Sequence, residues 1–138
     1  MLKCPFTSIP YTPNIAHILG ALSIYDLEDT IGKELREYDP NNKTDRETII
    51  SSFILKELIY LSYRHRFILI SALKEALEKP NFDFAKEFES DHEEHITMAW
   101  DETEIENPRG FFADIYRLAN EIWKDDLQKA SLEDPSTW

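Results

Sequence analysis

His92-Glu93-Glu94-His95 is the stretch of this chain whose residue types and spacing could do chemistry. Histidines at i and i+3 can share a helix face. Glu89-x-x-His92 also has the spacing with which helical bundles hold paired metal ions. Such a site needs a second Glu-x-x-His and further inward carboxylates, and the sequence has no second copy. The zincin pattern needs histidines at i and i+4 and is absent. Glu89, His92 and His95 are therefore the candidate metal ligands, set against the plainer expectation of two partly buried histidines on an apolar helix face. Arg64-His65-Arg66 could hold an anion, but so acidic a chain favours pairing within the molecule. Tyr60, Tyr63 and Phe67, at helical spacing, read as core. Cys4 has no basic neighbourhood that would make it a nucleophile. No glycine-rich phosphate loop, Gly-x-Ser-x-Gly or Cys-x-x-Cys occurs. The expectation is a protein without catalytic residues, metal or cofactor.

The elements that would position these residues are helices. Only three glycines occur, and none between Gly32 and Gly110, which is poor material for tight hairpin turns. Thr12-Pro13 looks like an N-cap with proline at the first helical position. The helix it opens runs to about Tyr38, with Ile15, Ile18, Leu19, Leu22, Ile24 and Leu27 inward and a break at Ser23 or Asp26. Thr44-x-x-Glu47 has the form of a capping box. A long buried helix follows it to Pro80, continuous or kinked near Ser62. Asn81 caps a third helix, from Phe82 to about Asp101, and the run to Pro108 is a loop. Pro108 opens a fourth helix to about Ala130. Phe111, Ile115, Leu118 and Ile122 form one row of its apolar stripe; Phe112, Tyr116, Ala119, Trp123 and Leu127 form the other. The fold expected is all-α, one helical-bundle domain over residues 1–138 with four to six helices. Residues 1–12 would be an extended lead-in and 131–138 a loose tail.

Composition agrees. A chain of 138 residues with 42% hydrophobic content can bury a core without disulfides or metal. Its single cysteine fits a reducing compartment. The first residues, MLKCPFTSIPYTPN, lack the basic-then-apolar pattern of a secretory signal, and no apolar run is long enough to span a membrane. The expected location is the cytoplasm.

Charge is the most informative feature. The net −12 disfavours direct binding to nucleic acid and favours a basic protein partner. Residues 80–106 hold ten acids against Lys86 alone, net −9, so three-quarters of the excess lies in a fifth of the chain. On a helical wheel Phe84, Ala85, Phe88, Ile96 and Ala99 share one side, with His92 and His95 near them. Trp100 falls among Glu89 and Glu93, where a tryptophan resembles an interface anchor. The alternative is that Trp100 packs against the next helix, and the acidic run itself is a solvated face. The candidate partner-binding surface is Glu89, Glu93, Glu94, Trp100, Asp101, Glu102, Glu104 and Glu106.

Small, acidic, helical and without motifs, the chain resembles the immunity proteins that neutralise bacterial toxins, in contact-dependent inhibition and colicin-type systems. The resemblance is one of character across the whole chain, and no functional position is carried over from it. It implies a protein that caps a basic toxin, often a nuclease, with acidic side chains. Two other classes remain: a nucleic-acid mimic that regulates a nucleic-acid-binding protein, and a small metal-dependent helical-bundle enzyme.

Overall fold

A computed structural model describes residues 1–138. The architecture is all-α and contains no strand, only three isolated bridges. In chain order it has a 3₁₀ helix Ile15–Leu22, α1 (Ile31–Leu35) and α2 (Lys43–Ile49). A π segment Ile50–Ile54, α3 (Leu55–Glu57) and a 3₁₀ turn Leu58–Tyr60 continue without a gap into a break at Leu61-Ser62. Then come α4 (Tyr63–Glu78), a 3₁₀ turn Ala85–Phe88, α5 (Pro108–Ile122), α6 (Lys124–Ser131) and a last turn Pro135–Thr137.

Local chemistry sets these boundaries. Asn14, not Thr12, caps the first helix by accepting the Ala16 N–H. That helix ends at Ser23, and Asp26 sits in the left-handed region, so both suspected break points are real. Asn42 accepts the Asp45 N–H and starts α2 two residues before the capping box expected at Thr44. The long middle helix is interrupted at Ser62, whose hydroxyl caps α4 through the His65 N–H. Asn107 caps α5 ahead of Pro108. The last helix is divided at Trp123, where the backbone departs from helical values (φ −100°, ψ 21°).

One apolar cluster of 27 buried residues joins these elements. α4 packs against α5 and α6, and the first 3₁₀ helix packs on the π segment. The π segment accommodates an extra residue in its turn, so Ile49, Ile50, Ile54, Leu55 and Leu58 all reach the core. Phe88, Phe111 and Phe112 are fully buried and meet edge to face, at 5.3 and 5.8 Å from Phe88. Of the final apolar stripe Ile122 is the exception, 53% exposed.

Arg64-His65-Arg66 is consumed within the fold. Arg64 pairs with Glu133 at 2.9 Å and Arg66 with Asp126 at 3.0 Å. His65 Nε2 meets the Lys3 carbonyl, which can only accept, so Nε2 carries the proton and Nδ1 takes the Ser62 hydroxyl at 2.6 Å. The aromatic triplet is less buried than its spacing suggests: Tyr63 and Phe67 are half-buried and Tyr60 is exposed.

Both termini differ from expectation. The lead-in is not simply extended: it doubles back through a Lys3–Pro10 bridge, with Phe6 in the left-handed region at the tip. The tail is docked. Glu133 accepts from the Tyr63 hydroxyl (2.7 Å) and from Arg64, contacts that hold its carboxyl below the usual glutamate range, the Tyr63 bond foremost. Trp138 is buried, edge-on to Phe67 and beneath the Arg64 guanidinium.

Candidate partner-binding surface

The helix expected over Phe82–Asp101 does not form. Its one helical turn is Ala85–Phe88; the remainder is an irregular segment strapped to the core. At its start the Arg109 guanidinium donates to the carbonyls of Leu77 (3.0 Å), Lys79 (2.8 Å), Pro80 (3.3 Å) and Phe82 (3.2 Å). It thereby satisfies the open C-terminus of α4 and the turn beyond, while lying 4.8 Å over the Phe84 ring. Phe84 and Phe88 then anchor the chain in the core.

From Ser90 to Trp100 the backbone pairs outward and inward at once. Asp91 and Ile96 exchange both backbone hydrogen bonds, at 2.9 and 2.8 Å, and close a small hairpin around His92-Glu93-Glu94-His95. The Asp91 carboxylate accepts the N–H groups of Glu93 (3.1 Å) and Glu94 (3.4 Å), a side-chain turn that competes directly with helix. His95 completes the tip at φ 57°. Behind it, Ile24 N–H donates to the Thr97 carbonyl (2.7 Å) and Ala99 N–H to the Leu22 carbonyl (2.8 Å). Further on, Asn41 clamps the chain like a missing strand: its amide donates to the Glu104 carbonyl (2.8 Å) and accepts the Glu106 N–H (2.9 Å).

This geometry divides the eight residues picked from the sequence. Glu89, Glu93 and Glu94 are exposed on and beside the hairpin. Glu102, Glu104 and Glu106 are exposed on the turn held by Asn41, with Asp101 half-buried. Asp101 and Glu104 partly serve that turn. The Asp101 carboxylate takes the Thr103 hydroxyl and N–H, which lower its pKa, the hydroxyl foremost, and Glu104 takes the Asp101 N–H. Trp100 is the correction: it is 7% exposed and belongs to the core, because the extended backbone sends Met98 and Trp100 to the same inner side. His92 and His95 are corrected too. They are exposed rather than partly buried, and the His95 ring lies against Tyr25 at 4.9 Å.

Glu89, His92 and His95 do not converge on a common point, and no group of three His, Cys, Asp or Glu side chains is placed to hold a metal ion.

None of the six ion pairs in the molecule uses any of the ten carboxylates of residues 80–106. Lys86 is the only lysine or arginine within residues 80–106 itself. At Glu87 burial foremost, then Asp83 and Glu89, push the pKa up, against the pull of Lys86.

Beside the hairpin lies an open groove of about 730 Å³ between the 3₁₀ helix Ile15–Leu22 and the segment 86–98. Glu57, Glu87, Glu89 and Asp91 line it, and Lys86 is the one lysine or arginine among its walls. Of these carboxylates only Glu89 was singled out from the sequence. Glu57 comes from α3, and nothing in the sequence signals that α3 faces the acidic segment.

Comparison with protein-family models, curated proteins and solved structures gives no match.

Proposed function

We propose that the protein is an acidic binding protein that neutralises a basic protein partner, in the manner of an immunity protein against a bacterial toxin. One observation carries this reading: ten carboxylates over residues 80–106 have no internal ion-pair partner, yet their backbone is fixed by Arg109, Asn41 and the core. Asp91, Asp101 and Glu104 accept local hydrogen bonds, but none of the ten sits opposite Lys or Arg, as Asp114 sits opposite Arg46. A fixed array of unpaired charge suits recognition, because complementary potential speeds encounter and rejects partners of the wrong sign. Glu93 and Glu94 at the hairpin tip and Glu102, Glu104 and Glu106 on the second turn are the groups that meet the partner.

The test captures the partner from the source cell, identifies it, and measures its binding to the wild type and to a fourfold variant, Glu93→Lys, Glu94→Lys, Asp101→Lys and Glu102→Lys. The reading expects a basic partner whose growth inhibition is relieved by this protein. It expects an association rate that falls with salt and collapses in the variant, since screening acts over about 8 Å at physiological ionic strength. Unchanged affinity, rate and salt dependence in the variant would make the acidity a solubility feature.

A further inference from the structure

The groove beside the hairpin combines carboxylate walls with an apolar floor. Leu58 and Met98, both buried, form part of that floor. Tyr60, 63% exposed, stands at its rim. Its walls carry four carboxylates against one ammonium. None of the four is in an ion pair. The walls come from three parts of the chain: the first 3₁₀ helix, α3 with the turn after it, and the strapped segment. At about 730 Å³ the space is that of a ligand site, larger than a single side chain requires.

We infer that this groove seats a protruding basic segment of the protein partner, one that alternates Lys or Arg with apolar residues. The inference rests on the proposed reading of the protein as an acidic binding protein, and specifies where the partner is gripped. Charge complementarity selects the occupant. A guanidinium or ammonium among Glu57, Glu87, Glu89 and Asp91 meets carboxylates that are in no internal ion pair. Its aliphatic stem lies along Leu58 and Met98, as long cationic side chains do over apolar surface. Tyr60 supplies a rigid amphipathic contact of the kind enriched at binding hot spots. An acidic peptide is excluded by the same carboxylates, and a simple polyvalent cation gains nothing from the floor.

The experiment uses the full chain and a short fluorescein-labelled peptide of alternating arginine and leucine, followed by anisotropy. Two variants remove equal charge: Glu57→Gln/Glu87→Gln/Glu89→Gln within the groove, and Glu28→Gln/Glu75→Gln/Glu78→Gln at exposed carboxylates that neither line it nor belong to the acidic segment. Both use neutral isosteres, on exposed side chains apart from the half-buried Glu87, and circular dichroism verifies their folds. The expected result is binding to wild type, at least tenfold weakening in the groove variant and less than threefold in the other. Amide NMR shifts should concentrate at residues 57–60 and 86–91. Equal weakening in both variants, or competition by spermine as effective as by the peptide, would overturn the groove as the seat. The proposed function would then still stand on the wider surface. No peptide binding to wild type would also overturn it. With the captured partner, loss of binding in the Glu93/Glu94/Asp101/Glu102 reversal alone, with the groove variant unaffected, refutes the groove and keeps the reading. Loss in neither refutes both.

Discussion

Replacing Trp100 by alanine separates a core residue from an interface anchor. The side chain is 7% exposed within the 27-residue cluster, and its segment is tied to the first helix by the Ala99–Leu22 hydrogen bond. An aromatic of this size buries up to about 250 Å². At about 25 cal/mol per Å² that is roughly 6 kcal/mol for the whole side chain, an upper figure because the unfolded chain already buries some of it. Truncations of core tryptophan and phenylalanine cost about 3–5 kcal/mol. Trp100→Ala should therefore lose about 3–5 kcal/mol, a large part of the roughly 5–15 kcal/mol that holds a domain of this kind. Urea unfolding followed by circular dichroism measures this without relying on the fluorescence of three tryptophans. Glu102→Ala, two residues away and exposed, is the control and should change stability by less than about 0.5 kcal/mol. A loss under about 1 kcal/mol for Trp100→Ala, together with lost partner binding, would refute the buried placement and restore Trp100 as an anchor.

Three further outcomes are expected. Arg66 donates to the Leu61 carbonyl at the break before α4, pairs with Asp126 and lies 5.0 Å over the Trp123 ring; Arg66→Lys cannot reproduce that fork and should cost about 1–3 kcal/mol in urea unfolding. His95 holds φ 57° at the exposed hairpin tip, so His95→Gly should stabilise by about 1 kcal/mol, less whatever its contact with Tyr25 contributes, as read from thermal melts. Glu87 has its folded pKa raised, chiefly by burial, so the folded state binds this proton more tightly than the unfolded state does. Its ionisation therefore opposes folding above that pKa, and the penalty disappears as pH falls through the range just above the ordinary glutamate value. Glu87→Gln should be more stable than wild type at neutral pH, with the gap closing on acidification; a gap that widens would contradict the sign.

Much of the helical framework was legible because its punctuation is local. Ser23 and Ser62 break helices where small polar caps interrupt apolar periodicity, and Pro108 marks the first turn of α5 with Asn107 before it. The stripe from Phe111 to Leu127 is buried nearly as its spacing requires. The acidic segment was not legible in the same way. Phe84, Phe88, Ile96 and Ala99 satisfy a helical period, but three facts outweigh it. Like charges crowd the would-be helix. Asp91 offers its carboxylate to the very N–H groups a helix would use. Beyond Ile96 the buried positions are Met98 and Trp100, an alternation by two that belongs to extended backbone. That alternation was present in the sequence, but two residues of period two carry little weight beside a longer helical pattern. The straps by Arg109 and Asn41 act over 27 to 65 residues of separation, and nothing local announces them.

The strapping changes what the charge means. On a free helix, ten neighbouring acids would disfavour the helix itself, and a partner would have to order the segment while binding it. Here the long-range straps on the backbone use none of the repelling groups: guanidinium to carbonyl at Arg109, amide to backbone at Asn41, and main chain to main chain at Ile24 and Ala99; only the local turns draw on the carboxylates of Asp91, Asp101 and Glu104. Repulsion among the carboxylates is thus carried by the rest of the fold. In the proposed reading, a cationic partner that relieves it has little conformational entropy to remove from this side of the interface. Both effects favour tight association from a small surface. The same logic locates the weak point. Loosening the straps, by Asn41→Ala or Arg109→Ala, would leave every carboxylate in place and still degrade binding, because the array would have to be ordered again each time the partner arrives.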